Sequence, residues 1–162
     1  MSRILFSETQ YFRQWWLLGL VLGLNGFILF GLVSQVFLGQ VFGDKPMSNT
    51  GLVFVAILQT AFTLFILLQR LSVKIDEEGI HVRFWPYHMQ WKLYRWENIS
   101  SCEVKKYNPV SEYGGWGLRA GAYNVSGNMG LLLTFNDGRF SQMIGTKKPE
   151  KIKLVLEKLG KI

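Results

Sequence analysis

Two long uncharged stretches, Gln14 to Gly43 and Pro46 to Gln69, are interrupted only by Asp44 and Lys45, and beyond them apolar and polar positions begin to alternate. At about 1.5 Å of rise per helical residue, runs of thirty and twenty-four residues reach about 45 and 36 Å, against a hydrocarbon core of about 30 Å. Neither run carries the polar face at a 3.6-residue period that a helix lining a soluble core would show. The pattern predicts a transmembrane helical hairpin over residues 14–71, with spans at about 15–42 and 50–70 and a tight turn at Gly43-Asp44-Lys45-Pro46. The first run is too long for the apolar heart of a cleaved signal, and no small-x-small cleavage site follows it.

From Leu71 the period becomes two. Val73 and Ile75 share one face. After the turn Asp76-Glu77-Glu78-Gly79, Ile80, Val82 and Phe84 share that face while His81, Arg83 and Trp85 oppose it. A third strand is predicted through Trp91 and Leu93, and a fourth from Ser100 to Tyr107. Asn108 to Arg119 is read as irregular, and Ala120–Val125 and Met129–Phe135 as strands. The Asn136-Asp137-Gly138 turn leads into a last strand over 139–144. A helix opens at Pro149, with Ile152, Val155, Leu156 and Leu159 on one face and Lys151, Lys153, Lys158 and Lys161 on the other. The expected domains are a basic lead-in over 1–13, the hairpin over 14–71 and one compact β-rich domain over 72–162.

Charge adds an orientation. Of a formal net charge of +7, none lies inside the spans. Arg3 and Arg13 precede the hairpin and Arg70 and Lys74 follow it, whereas the connecting turn holds Lys45 balanced by Asp44. That asymmetry predicts a multi-pass protein of the cell (inner) membrane with both termini cytoplasmic. Trp15 and Trp16 stand where a headgroup-level aromatic belt is expected, and Trp85, Tyr87 and Trp91 form a second aromatic group that returns toward the bilayer. Asn25 and Gln59 each fall near the midplane, as a candidate intramembrane polar pair. Gly19 and Gly23, four apart, offer a face for homo-oligomer formation.

Candidate chemistry changes the picture little. One cysteine, Cys102, makes neither a disulfide nor a metal knuckle, and His81 and His88 have opposite strand parity. No phosphate loop, nucleophile elbow or paired acids appear, so neither catalysis nor a cofactor or metal is expected. Basic and aromatic residues interleave from Arg83 to Lys106 in a way that can stack single-stranded nucleic acid. The anionic leaflet beside an anchored domain is the simpler partner, and nucleic acid is not expected. The stretch best suited to recognition is Tyr113, Gly114, Gly115, Trp116, Gly117 and Arg119, combining backbone donors, a flat ring and a guanidinium fork. Its alternative role is a crossover in which Trp116 plugs a barrel.

Several short motifs carry a resemblance. They are Glu8, Gln10, Phe12, Arg13 and Trp16 before the first span; Trp96 and Ile99; Gly114-Gly115-Trp116-Gly117 with Arg119; Tyr123-Asn124; Ser126-Gly127; and Gly145-Thr146-Lys147-Lys148-Pro149-Glu150. With the membrane hairpin, they resemble small bacterial membrane proteins whose cytoplasmic domain is similar to the pleckstrin-homology barrel. The resemblance implies a PH-like barrel of about seven strands closed by a C-terminal amphipathic helix, and a scaffold or binding role rather than a reaction. The acidic turn at Asp76-Glu77-Glu78 departs from the basic first loop with which the eukaryotic relatives hold phosphoinositides. The expected function is therefore a non-enzymatic scaffold at the cytoplasmic surface that docks a protein partner or anionic lipid. The alternative is an accessory subunit of a membrane transporter or enzyme acting through its helices.

Overall fold

The computed structural model describes residues 3–162. The chain divides into two compact units, one running from Phe12 to Leu68, the other joining the N-terminal segment up to Tyr11 to Gln69–Ile162.

The first unit is a pair of helices. α1 (Trp15–Leu32) widens at its end into a π-helical turn (Val33–Phe37), and α2 covers Asn49–Leu68. At 23 and 20 residues, both are long and apolar enough to cross a membrane. Only 17% of each apolar window is buried, whereas the core helix of a soluble protein is mostly covered. Leu52, Ala56 and Thr63 are the buried residues of α2, spaced to fall on one side of it.

The spans are shorter than the predicted 15–42 and 50–70. α1 and its π-helical turn stop at Phe37 because Gly39 and Gly43 take left-handed φ values of 67° and 83°. Phe42 is apolar yet not helical. It folds back so that its ring covers Gly31, with centroids 5.3 Å from Phe27 and 6.2 Å from Phe30. Any Cβ at position 31 would meet that ring, so the seat of Phe42 depends on the glycine there. The connection is therefore a folded loop rather than a four-residue turn. Gln35 ties it down by donating to Met47 O at 2.6 Å and Asn49 Oδ1 at 2.8 Å. α2 ends at Leu68 because Arg70 already begins a strand.

The second unit contains two sheets. β1 (Phe6–Tyr11), β2 (Arg70–Ile75), β3 (Gly79–Trp85) and β4 (Lys92–Arg95) form an antiparallel sheet in chain order. The other sheet contains β5 (Ile99–Lys106), β6 (Gly117–Arg119), β7 (Ala122–Asn124), β8 (Met129–Phe135) and β9 (Gln142–Gly145), in the order β5-β8-β9-β7-β6. In it β7 and β9 run parallel, and the β5–β8, β8–β9 and β6–β7 pairs run antiparallel. A short helix α3 (Pro109–Tyr113) follows β5, and α4 (Pro149–Lys158) ends the fold against β1, β5 and β8.

Three expectations are corrected here. The segment read as a lead-in over 1–13 contains β1, paired along its whole length with β2 from Phe6↔Ile75 to Tyr11↔Arg70. Its hydrophobic alternation is hidden because two of its three inward residues, Glu8 and Gln10, are polar. The count of about seven strands becomes nine among the described residues, since β1 and β6 add to the total that the sequence pattern yields, β7 lying within the strand expected at Ala120–Val125. The barrel is not closed: among the described residues no strand pairing joins the two sheets.

The alternation itself is confirmed. Leu71, Val73 and Ile75 on β2, with Ile80, Val82 and Phe84 on β3, are at most 1% exposed. Leu131 and Leu133 of β8 are fully buried, and Tyr94 of β4 stacks on Phe135 at 5.5 Å. Ile152 and Leu156 of α4 are buried while Lys151, Lys153 and Lys158 face out.

Burial also sets the alkaline limit of this unit. The Cys102 thiol is pushed up to about 11 by desolvation, partly offset by Lys161. Burial also raises the Tyr94, Tyr107 and Tyr113 hydroxyls. A raised folded-state value means stability that is whole below the unfolded value and lost as pH climbs through the folded one. For Cys102 the window runs from about 9 to about 11. Cys102→Ser is expected to recover about 2 kcal/mol of that alkaline loss, read by urea unfolding at pH 8 and pH 11.

Candidate functional site

The loop Tyr113–Arg119 and its neighbours are built from the backbone outward. Asn108 caps α3, its Oδ1 accepting from Val110 N at 3.1 Å and Ser111 N at 3.2 Å. Glu112 returns the favour by accepting from Asn108 N at 2.6 Å. Gly114, at φ 69°, ends the helix, with Gly114 N and Gly115 N donating back to Val110 O and Pro109 O. Gly115 and Gly117 also hold positive φ, at 118° and 124°. The glycines of a segment read from sequence as irregular thus fix one defined path.

That path sets Trp116 at the surface. Its Nε1 donates to Gly127 O at 3.2 Å, and its half-buried ring lines a groove of about 430 Å³ with Lys106, Tyr107, Pro109, Val110 and Glu112. Trp116 is therefore a groove wall; the barrel that it was to plug is not closed. Tyr113 packs edge-on to Tyr107 at 5.7 Å, and Gly117 N donates to the buried Asn124 Oδ1 at 2.9 Å. Arg119 is exposed and does not line the groove, so the loop's ring and its guanidinium do not converge.

The aromatics expected at the membrane interface divide. Trp15 and Trp16 are exposed on α1. Tyr87 is exposed, its hydroxyl accepting from Gln69 Nε2 at 3.4 Å. Trp85 and Trp91 lie half-buried against cations, with Arg70 Cζ 5.6 Å from the Trp85 ring. Lys74 Nζ and Arg83 Cζ stand 4.5 and 4.7 Å from the Trp91 ring.

Inside the hairpin the predicted Asn25–Gln59 pair does not form. Asn25 Nδ2 donates to Thr63 Oγ1 at 3.1 Å, one helical turn beyond Gln59 on the same side of α2, so the axial offset of the helices decides the partner. Gln59 Nε2 is buried with no acceptor among the described residues. Gly19 and Gly23 meet no atom within 4 Å of where a Cβ would stand, so their face is open.

The remaining titratable groups act separately. His81 Nε2 is 2.9 Å from Asp76 Oδ2, and Asp76 Oδ1 accepts from Glu78 N and Gly79 N, which makes it the former of the acidic turn. His88 packs edge-on to Tyr123 at 5.3 Å and is held below its ordinary value by burial and then by Lys92. Among the described residues no three His, Cys, Asp or Glu side chains gather to hold a metal.

One constellation escapes sequence reasoning. Glu8 Oε2 accepts from Thr146 Oγ1 at 2.6 Å, Glu8 Oε1 accepts from Lys147 N at 3.0 Å, and Gln10 Nε2 donates to Gly145 O at 2.8 Å. These polar groups join β1 to the junction of β9 and α4. Their only sequence signal was that both ends belonged to the motifs carrying the family resemblance.

No protein-family model matches the chain, and a search of curated proteins finds no significant match.

Proposed function

We propose that this is a non-enzymatic membrane protein of the inner membrane, both termini cytoplasmic, whose PH-like domain docks a protein partner at the cytoplasmic surface. The observation that carries the reading is the groove beside Trp116, joined in one chain to two charge-free helices. Val110, 60% exposed on its rim, supplies apolar surface, and Lys106 and Glu112 supply the polar edge that fixes an orientation. The four- and five-stranded sheets capped by α4 support the PH-like assignment, in an open form.

The alternative, an accessory subunit acting through its helices, is favoured by the open Gly19 and Gly23 face and the unpartnered Gln59 amide. Photo-cross-linkers at Val110 and at Gly23 separate the two in intact cells. Docking through the groove gives discrete adducts from position 110 that Trp116→Ala reduces about tenfold, the domain remaining folded. Adducts from position 23 alone favour the helices, and adducts from neither overturn the docking role.

A further inference from the structure

We infer that the outer face of the four-stranded sheet is a docking surface for the phosphate headgroups of an anionic bilayer, built by Arg70, Lys74 and Arg83 with Trp85 and Trp91. The inference rests on the membrane anchoring proposed above, and adds the ligand class and the residues.

Strand register assembles the surface. Three cross-strand rows point away from the core: Tyr11–Arg70–Trp85, Thr9–Ser72–Arg83 and Ser7–Lys74–His81. Each contributes one cation. Trp91, just ahead of β4, lays its ring against both Lys74 and Arg83, while Trp85 sits beside Arg70. These ring contacts hold the long side chains in place and leave their charge uncancelled.

No carboxylate neutralises them. Arg70, Lys74 and Arg83 have no ion pair among the described residues, and the Nε of both arginines is buried without an acceptor. Glu8, the acid of β1, faces the opposite side of the sheet and is held by Thr146 and Lys147. Asp76 is held at the strand end by His81 and its own turn. Three cations with no ion pair among the described residues call for a diffuse anionic partner with several phosphates in reach.

Chain continuity decides which partner. Three residues separate Tyr11 from the first apolar helix, and one residue separates Leu68 from Arg70. The row Tyr11–Arg70–Trp85 is thus the part of the sheet from which both spans depart, and its arginine and tryptophan are the residue types that settle at headgroup level. A free polyanion has no such tie to this face.

The test is the acetylation rate of Lys74 in the full chain, held in nanodiscs of phosphatidylcholine alone or enriched in phosphatidylglycerol, with Lys106 as the reference amine. Lys74 is expected to react about tenfold more slowly in the anionic discs, and Arg83→Gln is expected to remove about fivefold of that protection. Resistance of the buried Cys102 to alkylation certifies that the variant is folded. Equal Lys74 rates in both discs overturn the inference. So does equal protection by inorganic phosphate, or by a single-stranded oligonucleotide, in phosphatidylcholine discs. A chain that does not enter discs at all refutes the anchoring itself, and is told apart from these outcomes by its absence from the disc fraction.

Discussion

Phe84→Ala is expected to cost the β-domain about 4 kcal/mol, close to the whole stability of a small domain. Phe84 is the largest of the fully buried side chains, central on β3, with Leu71 as its cross-strand partner and the Tyr87 ring 5.7 Å away. Truncation removes the transfer energy of the ring and leaves a cavity that two strands fixed by their ladder cannot close. The measurement is urea unfolding in mild detergent, followed by the near-ultraviolet circular dichroism of the domain's aromatic residues. Phe84→Leu, which refills much of the volume, is expected to cost less than half as much. If both substitutions leave the midpoint unchanged, Phe84 is not a core residue of β2 and β3 as its full burial indicates.

Glu8→Ala is the second large effect, expected at about 3 kcal/mol. The carboxylate is 5% exposed and accepts from the Thr146 hydroxyl and the Lys147 amide; its removal strands both donors where water does not replace it. Glu8→Gln keeps an acceptor oxygen and is expected to lose about 1 kcal/mol, whereas Glu103→Ala on an exposed position of β5 stays within about 0.5 kcal/mol. The comparison separates loss of an anchored carboxylate from loss of negative charge. It also has a readout in the chain path: with β1 released, protease is expected to cut between Tyr11 and Trp15.

The two positions differ in how far they could be seen beforehand. Phe84 lies in an alternating run whose inward residues are all apolar, so its burial follows from the period of two. Glu8 belongs to a strand whose inward face reads Phe, Glu, Gln, and no hydrophobic pattern reveals such a strand until its distant partners at Gly145–Lys147 are known. Similarly, the apolar run to Phe42 fixed the existence of a first span but not its end, because a loop aromatic folded onto Gly31 is as apolar as one inside a helix.

The candidate site was legible in part. Trp116 and its glycines stood out by composition, and they form one wall of a groove. The other walls come from Lys106 and Tyr107, at the end of the expected fourth strand, and from Asn108–Glu112, which was read as irregular because a five-residue helix capped by Asn108 is too short to show a period. The amide pair failed for a different reason. Depth along a helix brought Asn25 level with Gln59, but Thr63 shares that face one turn on, and the choice between them depends on the axial offset of the two helices, which a uniformly apolar sequence leaves undetermined.

Labelling by a membrane-impermeant maleimide of single cysteines placed at Asp44 and at Ile162, in a Cys102→Ser background, tests the central claim in intact spheroplasts. A hairpin lodged in the bilayer with its β-domain inside the cell gives label at position 44 at once and at position 162 only after lysis. Label at position 162 before lysis, or recovery of the chain outside the membrane fraction, contradicts it.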